Sequence, residues 1–354
     1  MRDTEVNLND LTILSVNFKG KFYFGLNFAC SAALNKTDAL KWIVVENTPE
    51  GADGSLNLAD NRFQIVPGIS PQKITQEPRG SYHHGTALNK GKDIIKTRFA
   101  LVLDPDFFIV KPDWISETLS YIVKNDLSFF GVPWHPRHWQ KHRYFPCVHC
   151  MFIDLSKVGL NNLDFRPDLV NNPSRQFKPK FWIEYQRLQS QKRWLRRCYW
   201  LLRQPWRAVK EDNEQRQYIG SSRDTGYFLY QKFGPDGRYK SGTIPPVFRP
   251  GLDKFLPAGV SGLQSSKLIE CFKADRNSYI PKRHAYFTGK GFREYGFMDV
   301  SGLGWEEFVW QGKPFGFHIR GFIQANQDAK TRNNTLVKAL QNLTGLTLPA
   351  QDGN

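Results

Sequence analysis

An α/β protein with a mostly parallel central sheet and helices on both of its faces is the fold that the sequence predicts. Three observations carry that expectation. Short β-branched runs alternate with helix-length segments through the first half of the chain, the order that builds a parallel sheet through crossover connections. At 354 residues the chain can bury one large core, or a main domain with an appendage. Its 40% hydrophobic and 14% aromatic content excludes a disordered chain.

Taken in order, "LTILSV" (Leu11–Val16) is a β-branched run that ends in Asn17, Lys19 and Gly20, a buried strand entering a loop. Residues from about Phe22 to Leu34 read as a helix. "KWIVVEN" (Lys41–Asn47) is a second strand, closed by the turn-rich "TPEGADGS". "RFQIVPG" (Arg62–Gly68) is a third, followed by a long polar loop. In "HGTALNKGKDIIKTR", Ala87, Leu88, Ile94 and Ile95 make an imperfect helical stripe, and "FALVLDPDFF" is a fourth strand.

The second half is less regular. "LSFFGVPW" (Leu127–Trp134) and "CVHCMFIDL" (Cys147–Leu155) read as strands. From Asn171 to about Tyr218 the chain turns polar, basic and tryptophan-rich. "SRDTGYFLYQKFG" (Ser222–Gly234) has helical spacing and a glycine stop. Arg238–Phe292 is rich in Gly and Pro and reads as loops with short strands; "KPFGFHIRG" (Lys313–Gly321) is strand-like and precedes a polar tail. No internal repeat and no low-complexity segment stands out.

Charge narrows the partners. With 49 Lys and Arg against 33 Asp and Glu, the formal net charge is +16, which favours nucleic acid, an anionic membrane surface or phosphorylated ligands. Five scattered cysteines do not make a disulfide framework. No stretch approaches the roughly 18 apolar residues of a spanning helix, and "MRDTEVNLND" has no apolar core for a signal peptide. A reduced, cytoplasmic protein is expected.

Against this basic background, "LVLDPDFF" places Asp104 and Asp106 where a hydrophobic strand runs out. Ligands of parallel sheets collect beyond the carboxyl ends of strands. Two residues apart in extended chain, both carboxylates project to one side, and Pro105 suits a strand that has stopped pairing. Convergent carboxylates repel unless a cation lies between them, and Mg²⁺ or Mn²⁺ commonly joins such a pair to substrate phosphates. The alternative is an Asp-Pro-Asp that only begins a turn.

In order and spacing, "LTILSVNFKG", "IVVEN", "YHHGTALNKG" and "LVLDPDFF" resemble the nucleotide-sugar glycosyltransferases of the GT-A fold, most closely family 2. The resemblance covers roughly the first 155 residues. It implies a GT-A fold whose Rossmann-like half binds the nucleotide and whose other half binds the acceptor. It places Asn17 at the nucleotide, Glu46 and Asn47 at the base or ribose, Asn89 and Gly91 of "ALNKG" near the nucleotide, and Asp104 and Asp106 at the metal and diphosphate. "VENTPEGADGS" departs from the usual "VDNGSTDGS" type while keeping its turn chemistry.

Family 2 enzymes usually carry the catalytic base on an acidic pair that opens a late helix. In "SSRDTGYFLY" the resemblance puts Asp224 at the second acid, as general base, and Arg223 at the first, where a guanidinium suits a phosphate or an acidic acceptor. A helix-capping Asp224 is the structural alternative. His318 in "KPFGFHIRG" resembles a late histidine that approaches the metal, and a core histidine is the other reading.

His135, His138, His142, Cys147, His149 and Cys150 fall within sixteen residues, a density that raises zinc. No pair is matched by a second at finger spacing, so "GVPWHPRHWQKHRYFP" reads better as an active-site loop. Lys192–Lys210, "KRWLRRCYWLLRQPWRAVK", holds seven Lys or Arg, four aromatics and no acid. That pattern fits a helix at an anionic membrane interface, or one packed on the main domain with solvated arginines.

The expected organisation is a nucleotide-sugar half over 1–165, a basic Trp-rich insertion over 166–217, an acceptor half over 218–325 and a tail over 326–354. The expected activity is metal-dependent, inverting hexosyl transfer from a nucleotide-diphosphate sugar to a glycan or lipid-linked acceptor in surface polysaccharide or lipopolysaccharide assembly. It comes with Mn²⁺ or Mg²⁺, no nucleic-acid partner, and peripheral contact at the inner face of the plasma membrane. Two other functions compete: a sugar-phosphate nucleotidyltransferase, and a non-catalytic nucleic-acid- or membrane-binding protein on a decayed transferase fold.

Overall fold

The computed structural model describes residues 7–57, 59–68, 80–135, 141, 143–172, 222–248, 287–319 and 329–348. In chain order the described elements are β1 (Leu11–Asn17), α1 (Lys21–Leu34), β2 (Lys41–Glu46), β3 (Gln64–Pro67), α2 (Gly80–Lys92), β4 (Phe99–Leu103), β5 (Phe107–Ile109) and α3 (Trp114–Lys124). There follow β6 (Phe129–Pro133), β7 (Pro146–Asp154), α4 (Leu155–Val158), α5 (Tyr227–Phe233), β8 (Ser241–Thr243), β9 (Glu306–Trp310), β10 (Lys313–His318) and α6 (Ala329–Thr344).

Seven of these strands form one sheet in the order β3-β2-β1-β4-β7-β6-β8, and β5-β10-β9 form a second. In the large sheet only β7 runs against its neighbours β4 and β6; the remaining pairs are parallel. The small sheet is antiparallel throughout. The predicted α/β class with a mostly parallel sheet covered on both faces is therefore the one observed.

Period-two alternation divides the core. Leu11, Ile13, Trp42, Val44, Phe99 and Leu101 face α1, α3, α6 and the small sheet. Leu14, Val16, Ile43, Val45, Ala100 and Val102 face α2 and α5. The centre of the large sheet is thus buried on both sides, which is why its strands read as unbroken apolar runs.

Four expectations need correction. "FALVLDPDFF" is not one strand: it breaks at Asp104, and Phe107–Ile109 joins the other sheet. The helix containing Ala87 and Leu88 starts at Gly80 and stops at Lys92, so Ile94 and Ile95 follow it in a turn. The helix near Asp224 begins only at Tyr227, with Gly226 as its N-cap. The polar tail contains α6, whose Leu336, Val337, Leu340 and Leu343 recur at helical spacing and are buried in the core. The amphipathic α3 and the strand β9, which the sequence reading passed over, complete that side.

The first turn of the sheet shows how tightly the layers meet. A Cβ built on Gly91 of α2 would lie 2.5 Å from Leu14 Cδ1 and 2.7 Å from Val45 Cγ2. Glycine there lets α2 lie close to β1 and β2. Gly25 of α1 has no such neighbour within 4 Å. Urea denaturation of Gly91→Ala should show a loss of about 1–3 kcal/mol from overpacking. Gly25→Ala, a helix-interior change into open space, should instead be neutral or stabilise by up to about 1 kcal/mol. Equal effects at the two positions would contradict the close-packing account.

Candidate active site

β4 runs out at Leu103, and the next three residues cross from one sheet to the other. The Asp104 amide donates to the His149 carbonyl of β7 at 3.0 Å, and the Phe107 amide closes a turn onto the Asp104 carbonyl at 3.0 Å. At the far side the Ile319 amide donates to the Asp106 carbonyl at 2.9 Å. From α1, Asn27 Nδ2 donates to the Pro105 carbonyl at 2.7 Å and anchors the apex. Backbone register therefore puts Asp104 beside His149 and Asp106 beside His318. The two carboxylates are presented by a turn, not by extended chain as the sequence suggested.

The side chains follow. His149 Nδ1 lies 2.5 Å from Asp104 Oδ2, and His84 Nε2 of α2 lies 3.3 Å from Asp104 Oδ1. His318 Nε2 lies 3.2 Å from Asp106 Oδ1, and its Nδ1 lies 3.1 Å from Glu306 Oε2. The His149 and His318 rings are 4.2 Å apart at 36°, and Trp134 meets His149 edge-on at 4.2 Å. His149, His318 and Glu306 are buried. The Asp106 side chain keeps 34% of its surface exposed and forms the open edge of the cluster.

Charge pairing outweighs burial here. Burial alone would raise the Asp104 carboxyl, but the imidazoles of His84 and His149 hold it far below the usual carboxylate range. Burial would lower His318, yet Asp106 and Glu306 carry it up to about 9. His84 is raised as well: the carboxylates of Asp104, Asp224 and Asp106 overcome its burial. Tyr23 of α1 is pushed up by burial, against the pull of Arg332 from α6, and Asp106 adds to the rise. The former tail thus contributes a residue at the rim.

A divalent ion fits this donor set. One ligand atom each from Asp104, His149 and His318 lie within 4.8 Å of one another. Two ligands on opposite sides of an ion at roughly 2.2 Å would stand about 4.4 Å apart, so at most a few tenths of an ångström of closure would bring these atoms onto one ion. Carboxylate and imidazole are both accepted by Mn²⁺ and the later divalent ions. Asp106 meets this set through His318.

Asp224 stands three residues ahead of α5. Its Oδ2 lies 2.5 Å from Lys141 Nζ, and Lys141 also sits over the Trp134 ring at 4.5 Å. Burial would raise the Asp224 carboxyl, but the Lys141 ammonium, helped by Ser81 and the Thr225 amide, lowers it to about 2. The helix-cap alternative does not hold, because Gly226 occupies that position.

The other expected residues do local structural work. Asn17, fully buried, gives Nδ2 to Glu46 Oε2 at 2.7 Å and to the Gly54 carbonyl at 3.0 Å; its Oδ1 accepts the Gly20 amide at 2.7 Å. Glu46 accepts the Thr48 amide at 2.7 Å and the Leu56 amide at 2.8 Å. Asn47 is buried and donates to the His83 carbonyl at 3.3 Å. Asn89 ties α2 to the segment after β7, donating to Asp164 Oδ1 at 2.9 Å and accepting the Phe165 amide at 2.9 Å. Gly91 faces β1 and β2, as described above. The Arg223 guanidinium pairs with Asp168 and lies over the Tyr227 ring at 5.1 Å.

Two neighbours in the cluster escaped the sequence reading, His84 and Glu306, and His149 was weighed only within a zinc site of its own segment. His84 and His149 lay in view, within "YHHGTALNKG" and "CVHCMFIDL", but their partners come from distant elements. The dense His/Cys segment does not assemble as a zinc site among the described residues. His135 Nε2 is 2.9 Å from the Val247 carbonyl, Cys147 and Cys150 are buried in β7, and His149 turns to Asp104. His138, His142 and the basic Lys192–Lys210 segment lie outside the described residues. No described helix is long and apolar enough to cross a membrane.

No protein-family model matches the chain, and no curated protein matches it in sequence. Solved structures that resemble it in part include glycosyltransferases. The mannosyltransferase PcManGT from Pyrobaculum calidifontis, in complex with GDP-Man and Mn²⁺, aligns over 44% of this chain and 47% of its own at 12% identity and a TM-score of 0.30. S. aureus TarS 1-349 in complex with UDP-GlcNAc aligns over 44% and 48% at 13% identity and 0.30. The galactosyltransferase LgtC, in complex with donor and acceptor sugar analogues, aligns over 41% and 58% at 12% identity and 0.28. The chain thus spans about half the length of the first structures it matches.

The Asp224–Lys141 pair has a pH signature. A carboxylate lowered to about 2 from the ordinary 3.8 contributes stability that is present above pH 4 and lost as the pH falls towards 2. In Lys141→Met the lowering charge is gone and burial, which raises the group, remains. Urea unfolding of the two proteins should therefore differ by on the order of 2 kcal/mol at pH 6, a gap that starts to narrow at the raised pKa of the variant's Asp224 and closes as the pH falls towards 2. A gap independent of pH would place the effect of Lys141 elsewhere.

Proposed function

We propose that the chain is a metal-dependent, inverting glycosyltransferase of the GT-A type, related to family 2, that uses a nucleotide-diphosphate sugar. The observation that carries this reading is the turn at which Asp104 and Asp106 leave the parallel sheet and meet His318 from the second sheet. A solvent-facing carboxylate beside a buried carboxylate–imidazole cluster suits a diphosphate approaching from the open edge. The resemblance of the sequence motifs supports the same assignment.

A divalent ion held there by Asp104 and His318 would supply the positive charge that a departing nucleoside diphosphate needs. The chain's own residues do the rest. Asp224 is assigned as the base that takes the proton from the acceptor hydroxyl as that oxygen attacks the anomeric carbon. Asn17 and Glu46 act as positioning residues, because they fix the loop between β2 and β3 at the carboxyl end of the sheet. Gly91 and Asn89 seat α2, which carries His84 to Asp104. The acceptor is assigned as a glycan or lipid-linked glycan; the basic, tryptophan-rich composition of Lys192–Lys210 supports contact with an anionic membrane.

One observation disfavours the nucleotidyltransferase alternative. A phosphate-cradling loop needs open amides at the start of the first helix. Here the Lys19 amide is taken by Thr48 Oγ1 at 2.8 Å and the Gly20 amide by Asn17 Oδ1 at 2.7 Å. The Lys21 amide is taken by the Gly54 carbonyl at 3.2 Å.

Thermal unfolding with nucleotides tests the reading. UDP or GDP at about 100 times its Kd should stabilise the chain by about 2.7 kcal/mol, with Mn²⁺ present and not in excess chelator. Asp104→Ala should abolish that shift. Asp224→Asn should keep it while lowering transfer roughly 10²- to 10⁴-fold. Nucleotide stabilisation indifferent to chelator would contradict the cation bridge, and stabilisation by duplex DNA alone would favour a binding protein.

A further inference from the structure

We propose that His149 is itself a ligand of the divalent cation, completing with Asp104 and His318 a set of one carboxylate and two imidazoles that favours Mn²⁺ and later ions over Mg²⁺. The inference rests on the cation site of the preceding reading, but not on sugar transfer.

The argument begins with a local defect in the sheet. Between β6 and β7 the register shifts: Gly131 pairs with Met151, while Pro133 pairs with Pro146. Two steps along β6 therefore correspond to five along β7. The face of β7 changes with it. Cys147 and Cys150, three residues apart, lie in one core layer, and Val148 and Met151 lie in the other. Strict alternation forbids both assignments, so an irregularity sits between Val148 and Cys150. Such bulges re-aim a side chain. The re-aimed side chain is His149.

Gly131 makes room for the defect. A Cβ built there would stand 2.1 Å from the Cys150 carbonyl oxygen, and its φ is +156°. Any other residue would push β7 away from β6 at the point where His149 leaves the strand. As a result His149 turns to the seam between the sheets, with Nδ1 2.5 Å from Asp104 Oδ2 and its ring 4.2 Å from that of His318. Trp134, edge-on at 4.2 Å, backs it.

His318 is oriented from behind. The pairing of β9 with β10 sets Glu306 opposite His318, and Glu306, 1% exposed, takes its Nδ1 at 3.1 Å. That leaves Nε2 aimed at the seam, the arrangement by which an outer carboxylate fixes a ligating imidazole. Asp104, His149 and His318 are the group whose ligand atoms converge within 4.8 Å. Asp106, placed against His318 Nε2 at 3.2 Å, stays at the exposed edge. Two imidazoles in three protein ligands suit borderline ions, whereas Mg²⁺ asks for oxygen.

Mn²⁺ alone, added to the full chain, tests this. Electron paramagnetic resonance counts bound ions, and pulsed measurements count coupled histidine nitrogens. The expected result is two imidazole couplings, with roughly tenfold or greater loss of Mn²⁺ affinity in His149→Asn and poor displacement by about 100-fold excess Mg²⁺. A single coupling in the unaltered chain, unchanged affinity in His149→Asn, or even competition by Mg²⁺ would overturn the proposal. Should His149→Asn fail to fold, the coupling count in the unaltered chain decides. Two couplings without any nucleotide-induced stabilisation would uphold the ligand set and sink the transferase reading. Nucleotide binding that needs Mn²⁺ and Asp104 but not His149 would do the reverse.

Discussion

Two backbone hydrogen bonds decide where the chemistry of this chain lies: Asp104 amide to His149 carbonyl, and Ile319 amide to Asp106 carbonyl. Asp104, Pro105 and Asp106 form the turn between the sheets, following a central strand of one and preceding an edge strand of the other. Side-chain attraction does not assemble the cluster; strand register does. Because side chains alternate with a period of two, a one-residue slip in either pairing would carry a histidine to the wrong face. The buried phenylalanines on both sides of the turn, Phe107, Phe108 and Phe317, penalise that slip, so the core and the site are specified by the same registers.

The electrostatics of the cluster look costly until its members are taken together. A buried carboxylate or a buried imidazolium alone would be neutralised by desolvation. Here Asp104 meets two imidazoles, and His318 meets two carboxylates, so each charge stabilises its neighbours. The arrangement also explains why a chain of net charge +16 concentrates acidic groups at one point. On the proposed reading, positive charge over the rest of the molecule would attract a phosphorylated ligand over distance, and the acids would provide a place for the cation that such a ligand brings.

Much of the fold was legible because the large sheet obeys simple rules. β1, β2 and β4 are apolar on both faces, and their boundaries fall where turn residues appear. The aspartate pair was legible for the same reason, as charge at the end of a buried run. What the sequence hid was long-range. His84 is 20 residues from Asp104 and His149 is 45, and His318 reaches Asp106 across 212. Only the β7 irregularity and the small sheet bring them together, and a bulge has no signature in apolar periodicity. Glu306 read as one acid among many, although its register opposite His318 gives it a role. α6 was hidden by composition: "RNNTLVKALQNLTG" is polar on average, and its apolar stripe emerges only when wound onto a helix. Asn17, Glu46 and Asn89 were expected at the nucleotide from the resemblance of their motifs; in the structure their side chains bond the protein's own segments.

The geometry is most demanding at the assigned base. A carboxylate held at about 2 by Lys141 is a poor proton acceptor at neutral pH, since general bases work best when their pKa lies near the working pH. Lys141 also rests on the Trp134 ring, which meets His149 edge-on. The ammonium thus touches the assigned base and the ring that packs edge-on against His149. If a bound diphosphate takes that ammonium for itself, Asp224 is left buried without its counter-charge, and burial then raises its pKa in the direction catalysis requires. On the proposed reading, the same ion pair that disqualifies Asp224 in the resting protein would, once broken by donor binding, be the reason that it becomes basic only when a sugar is present to be transferred.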